Sequence, residues 1–191
     1  MIRIVALGGT VHPGSATERA LAITADVARS EGAEVTLFDG AYLAALPYYG
    51  GAAHAPGTGS ELVEAVRVAD GVLIAAPGYH GTLSGMVKNA LDFLEDLSTD
   101  ARPYLDGRSV GLIATAYGDQ ATMSTIITMR GIVHALRGWP TPMGATVRTY
   151  PGLFGSDGSC SDPRVVQQLE IVGRQVVEGA RRSARSSNTT A

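Results

Sequence analysis

The residues most able to do chemistry lie in three loops, each following a run of apolar residues. The first, LGGTVHPGSATER (Leu7–Arg19), places three glycines, a proline and the hydroxyls of Thr10, Ser15 and Thr17 within thirteen positions. It follows a triphosphate loop through Gly9, four residues and Gly14, but Ser15 stands where that loop has Lys and Ala16 where it has Ser or Thr. A triphosphate loop needs that lysine to reach the outer phosphates and a hydroxyl to hold the metal. Neutral hydroxyls ahead of a helix, with free backbone N–H groups and the positive end of the helix dipole, suit a phosphate monoester better. Thr10 and Val11 also break the GxGxxG pattern of dinucleotide folds. An ordinary Gly-rich strand-to-helix turn has the same composition, and this loop alone does not separate the two readings.

The other two loops add aromatic rings to exposed backbone. PGYHG sets Tyr79 and His80 between Pro77, Gly78 and Gly81. TAYGD (Thr115, Ala116, Tyr117, Gly118, Asp119) repeats the arrangement. One phosphate cradle and two ring-lining loops meet the needs of a mononucleotide with a planar heteroaromatic ring, and flavin mononucleotide (FMN) fits. Tyr79 is read as a ring contact. His80 has two readings, an acid or ring contact and a loop histidine without a catalytic role. His12, His54 and His134 have no ligand spacing, so no metal is assigned.

These loops must be brought together by the elements around them. Ile2–Leu7, Gly71–Pro77 and Ser109–Thr115 are nearly continuous apolar runs, the pattern of parallel strands covered on both faces. Glu34–Asp39 and Met143–Arg148 are the fourth and fifth candidates. Helices are expected over Thr17–Glu31, from a cap at Ser60, over Thr82–Leu97, over Ala121–Leu136, and from Pro163 with Asp162 as cap. The alternation predicts a doubly wound α/β sheet, whose ligands bind beyond the carboxyl ends of the strands. On the Thr82–Leu97 helix, Leu83, Met86, Val87, Ala90, Leu91, Phe93, Leu94 and Leu97 cover an arc of about 160°. That is wider than one sheet face needs, so part of it is expected to meet a second subunit; deep packing within a monomer is the alternative. Lys88 and Asp92 are spaced for a surface pair.

The 191 residues are 45% apolar and 17% charged with a net charge of −3, which gives no nucleic-acid footprint. The single cysteine, Cys160, has no disulfide partner in the chain. MIRIVAL is too short for a secretory apolar segment and no run is long enough to span a bilayer, so a cytoplasmic location is expected. One domain is expected over residues 1–180, with a mobile loop at Tyr48–Ser60 and a polar, fraying tail over residues 181–191.

Pro77–Leu97 resembles the signature segment of the NAD(P)H-dependent FMN reductases in Pro77, Tyr79, Gly81, Gly85, Lys88, Asn89, Leu91 and Asp92. Gly9–Ser15 resembles that family's phosphate loop, with His12 where the family usually has Arg. The resemblance implies a flavodoxin-like five-stranded parallel sheet of order 2-1-3-4-5, non-covalent FMN, NAD(P)H as co-substrate, and homodimers or homotetramers packed through the helix after the third strand. It places the phosphate by Thr10, His12, Ser15 and Thr17, and the ring by Pro77–Gly81 and Thr115–Asp119. Ser84–Gly85, in place of Pro-Gly, resembles the branch that supplies reduced flavin to monooxygenases. Hydride transfer is then the cofactor's chemistry, and no side chain is named as a catalyst. A quinone, azo or chromate reductase is the alternative enzyme, and a one-electron flavodoxin carrier the alternative outside enzymes.

Overall fold

The computed structural model describes residues 1–51, 57 and 59–189. Strand and helix alternate as β1 (Ile2–Gly8), α1 (Ala16–Ser30), β2 (Ala33–Phe38), α2 (Gly40–Ala45), α3 (Ser60–Val68), β3 (Gly71–Tyr79), β4 (Thr82–Leu83) and α4 (Gly85–Asp92). A 3-10 turn over Phe93–Leu97 follows, then β5 (Ser109–Ala116), α5 (Asp119–Ala135), β6 (Trp139–Arg148) and α6 (Pro163–Thr189). The five long strands are parallel in the order β2-β1-β3-β5-β6, with β4 attached antiparallel to β3. This is the expected doubly wound order, and β4 is the detail that differs. The order reverses between β1 and β3, which puts a crevice at their carboxyl ends.

The apolar runs form strands because both faces are covered. Ile4, Ala6, Leu73, Ala75 and Ile113 pack beneath α1 and α6, while Val5, Leu7, Val72, Ile74 and Leu112 pack beneath α3, α4 and α5. The central strands therefore need no polar face, whereas β2, at the sheet edge, leaves Leu37 exposed.

Several elements depart from the expectations. Thr82 and Leu83 are strand, not helix: they close a hairpin whose two turn residues, His80 (φ +50°) and Gly81 (φ +92°), both have positive φ, as a type I′ turn requires. Ser84 then caps α4 by accepting the Val87 N–H. The helix tightens to 3-10 at Phe93, which redirects the arc found above. Leu83, Val87, Ala90, Leu91, Phe93, Leu94 and Leu97 are buried within the one chain and Met86 is partly buried against the same core, so deep packing accounts for most of the arc without a second subunit. Lys88 and Asp92 form the expected surface pair. Asn89 beside it accepts the Tyr49 N–H and donates to Pro47 O, which pins the chain that follows α2.

Ser60 is the first residue of α3; its cap is Gly59, in the left-handed region at φ +71°. β6 begins at Trp139, earlier than expected, and carries Pro140 and Pro142, which a strand at the sheet edge tolerates. α6 continues to Thr189, through most of the segment whose composition predicts fraying, and Arg181 donates to Glu31 O at the end of α1. Of the expected mobile loop at 48–60, residues 52–56 and 58 lie outside the described residues, and His54 with them. Among the described residues no helix is long and apolar enough to cross a membrane.

Candidate functional site

The carboxyl ends of β1, β3, β5 and β6 surround a cavity of about 320 Å³. Its wall brings together Thr10, His12, Ser15 and Thr17 from the first loop, Pro77, Gly78 and Tyr79 from the second, and Thr115, Ala116 and Tyr117 from the third. His80, Gly81, Gly118 and Asp119 are not part of that wall. The first two turn the β3–β4 hairpin, and the other two begin α5. Sequence reasoning missed Ala16 and Thr149. Thr149 follows β6 and its N–H bonds Ala116 O at 2.7 Å, so a fourth strand end closes the site. Its only sequence signal was its place just beyond the strand ending at Arg148.

The first loop is held from inside by α1. Ser15 caps the helix, its Oγ accepting the Glu18 N–H at 3.3 Å. The neighbouring residues of the same turn clamp Gly14 from both sides. Glu18 Oε2 accepts the Gly14 N–H, and Arg19 Nε donates to Gly14 O, each at 2.7 Å. Thr10 Oγ1 accepts the His12 N–H at 3.1 Å. The start of α2 supports the loop from outside: a Cβ on Gly40 would lie 2.0 Å from Thr10 O, so only glycine permits that approach.

These bonds leave specific donors free. Among the described residues the N–H groups of Ala16 and Thr17 have no acceptor within the chain, as helix geometry dictates for a first turn. Thr17 Oγ1 and Thr115 Oγ1 lie 2.7 Å apart and are almost fully buried. Only one hydroxyl of such a pair can donate to the other, so the second keeps its proton for a ligand. That bond also fixes α1 to the end of β5, joining the first and third loops. α5 has no side-chain cap because its cap residue is Gly118; Ala121 and Thr122 N–H groups bond back to Gly118 O, and among the described residues the Asp119 and Gln120 N–H groups have no acceptor within the chain.

The charge of the wall is as informative as its donors. Among the described residues no Asp or Glu side chain lines the cavity, and the nearby Glu18 carboxylate is turned onto Gly14. Lys and Arg are also missing from the wall among the described residues, and His12 is exposed at its rim. Helix N–H groups and hydroxyls without a competing carboxylate fit a phosphate monoester. Tyr79 (52% exposed) and Tyr117 (86% exposed) leave ring faces open beside the backbone of β3 and β5. The residues present therefore fit FMN.

Known proteins resemble the chain in sequence and in fold. FMN-dependent NADPH-azoreductase of Staphylococcus aureus is 31% identical over 99 residues, which is 52% of this chain and 49% of that protein. The chain thus aligns with about half the length of the curated relatives it matches. Among solved structures, the flavoenzyme NAD(P)H:(acceptor) oxidoreductase FerB of Paracoccus denitrificans superposes with a TM-score of 0.77 at 20% identity, over 96% of this chain and 99% of that one. The apo form of the NADH:FMN oxidoreductase EMOB superposes at 0.70 with 17% identity, over 92% and 90%. At these identities the structures establish the fold. The model of the family described as NADPH-dependent FMN reductase matches residues 2–150, and the chain belongs to that family.

Proposed function

We propose that the chain binds FMN reversibly, reduces it with NAD(P)H, and releases reduced flavin for a partner monooxygenase. The observation that carries this reading is the acid-free cavity at the switch point of the sheet, into which the free Ala16 and Thr17 N–H groups of α1 open. The flavin ring supplies the hydride-accepting chemistry when bound. The chain's part is to hold and orient. Ser15 and the α1 N–H groups take the phosphate, Thr10 shapes the loop, and the buried Thr17–Thr115 pair fixes the distance between phosphate and ring ends. Pro77, Gly78 and Ala116 supply backbone beside the ring, and Tyr79 and Tyr117 flank the open face. The free N–H groups at the start of α5 are placed to stabilise negative charge that develops on a reduced ring.

The lack of Lys and Arg in the wall among the described residues supports release over retention. Each neutral hydrogen bond contributes about 0.5–1.5 kcal/mol net, which gives moderate affinity. A second reading is supported by the azoreductase relative: an FMN-retaining reductase of azo compounds, quinones or chromate. A homodimer or homotetramer in the cytoplasm belongs to the first reading. With the α4 arc closed by the chain itself, assembly rests on the family resemblance and on Met123 and Ile127, which leave one turn of α5 apolar and exposed. The FMN dissociation constants of both oxidation states, followed by turnover with free FMN against a quinone, test the choice. The proposal expects micromolar constants and stimulation by free FMN. Nanomolar retention in both states with fast quinone turnover would transfer the site to the second reading.

A further inference from the structure

A second cavity, of about 360 Å³, lies on the far side of β6 from the flavin site, between that strand and the start of α6. The two share a wall. Thr149 faces the flavin cavity, while its neighbours Arg148 and Tyr150, with Thr146, face the second one, as alternation along an extended segment demands. α6 contributes Arg164 and Gln168. Gln168 is already engaged, its Oε1 accepting the Thr146 N–H at 3.1 Å.

The charges in this cavity are unevenly satisfied. Asp162 is committed to the helix start, its Oδ1 accepting the Arg164 N–H at 2.8 Å. Asp119 reaches Arg148 only at 4.0 Å, with both side chains more than 60% exposed, so that pair holds neither group firmly. Among the described residues no carboxylate lies within ion-pair distance of the Arg164 guanidinium. Two loosely held guanidinium groups beside a half-exposed aromatic ring, Tyr150, match a phosphate attached to a nucleoside. A ligand in this cavity is one strand's width from the flavin site.

We propose that the β6–α6 cavity holds the phosphorylated adenosine end of NADPH, with Arg148 and Arg164 on the 2′-phosphate and Tyr150 against the base. This rests on the flavin reductase reading and extends it to coenzyme choice. NADH lacks the 2′-phosphate that the two arginines take, so the cavity selects NADPH. Asp119 acts as the internal competitor: the phosphate displaces it from Arg148.

The experiment is calorimetric titration of the whole chain with adenosine 2′,5′-bisphosphate and with adenosine 5′-monophosphate, needing neither flavin nor turnover. The bisphosphate is expected to bind at least tenfold tighter. Arg148→Glu/Arg164→Glu, two exposed changes compatible with folding, abolishes that difference, and Asp119→Asn enlarges it severalfold. Equal affinity for the two nucleotides, or a difference that survives the double change, overturns the proposal. FMN titration and NADPH oxidation of the same variants keep the two readings apart. Arginine-dependent bisphosphate binding without NADPH oxidation leaves the cavity assignment standing and removes the reductase. NADPH oxidation whose KM is untouched by the double change does the reverse.

Discussion

Ser15 has two roles in this account, and two substitutions separate them. Its Oγ caps α1 through the Glu18 N–H, and it lines the cavity where the phosphate is placed. Asp is as good an N-cap as Ser, so Ser15→Asp keeps the helix start and changes stability by only a few tenths of a kcal/mol. It sets a negative charge beside a phosphate of charge near −2. At ~5 Å and an effective dielectric of ~20, each unit pair repels by about 3 kcal/mol. FMN affinity therefore falls more than about 100-fold. Riboflavin, which lacks the phosphate, binds as before. Ser15→Ala does the opposite in part: it removes the cap, costing about 0.5–2 kcal/mol of stability, and weakens FMN by one hydrogen bond. Flavin fluorescence titrations with FMN and riboflavin, beside thermal melts, read all four quantities. Wild-type FMN affinity in Ser15→Asp, or an equal loss of riboflavin, would refute the phosphate placement.

Two predictions concern the scaffold. Arg108 is fully buried, and its guanidinium donates to Arg67 O, Ala69 O and Tyr104 O, closing the carboxyl end of α3; burial lowers its pKa to about 10, leaving it charged at neutral pH. Arg108→Met leaves those carbonyls without donors and is expected to lower unfolding free energy by about 2–4 kcal/mol with FMN affinity unchanged; a melt equal to wild type would contradict this. Burial, and then the bond to Asp96, push the Tyr49 phenol up to about 12 from 10.0. The fold thus favours the neutral phenol, whose contribution is complete below pH 10 and is lost as pH rises through about 12. Tyrosinate absorbance should show a late-titrating group that Tyr49→Phe removes; ionisation of Tyr49 at an ordinary pH would contradict it.

What could be read from the sequence depended on how local its cause was. β1, β3 and β5 were legible because burial on both faces demands unbroken apolar runs, and their loops were legible because glycine and hydroxyls mark a strand-to-helix turn. The β3–β4 hairpin was hidden because His80 adopts positive φ where Asn or Gly is the usual signal. The break at Phe93 was hidden because an apolar arc looks continuous whether the helix stays α or tightens. The start of β6 was hidden because Pro140 and Pro142 argue against a strand unless its edge position is known. Thr149, Gly40 and the buried Thr17–Thr115 bond depend on contacts between distant segments, which no local pattern records. Arg108, charged yet fully buried, reads from sequence as an ordinary surface residue.

The central claim is that this chain brings NAD(P)H and FMN together for hydride transfer. Its most direct test is anaerobic: NADPH is mixed with stoichiometric FMN and the chain, and the loss of oxidised-flavin absorbance is followed in time. The account predicts bleaching at a rate proportional to chain concentration and fast relative to the uncatalysed mixture, with NADPH consumed one for one. Bleaching no faster than in the chain's absence, under conditions where FMN is bound, would contradict it.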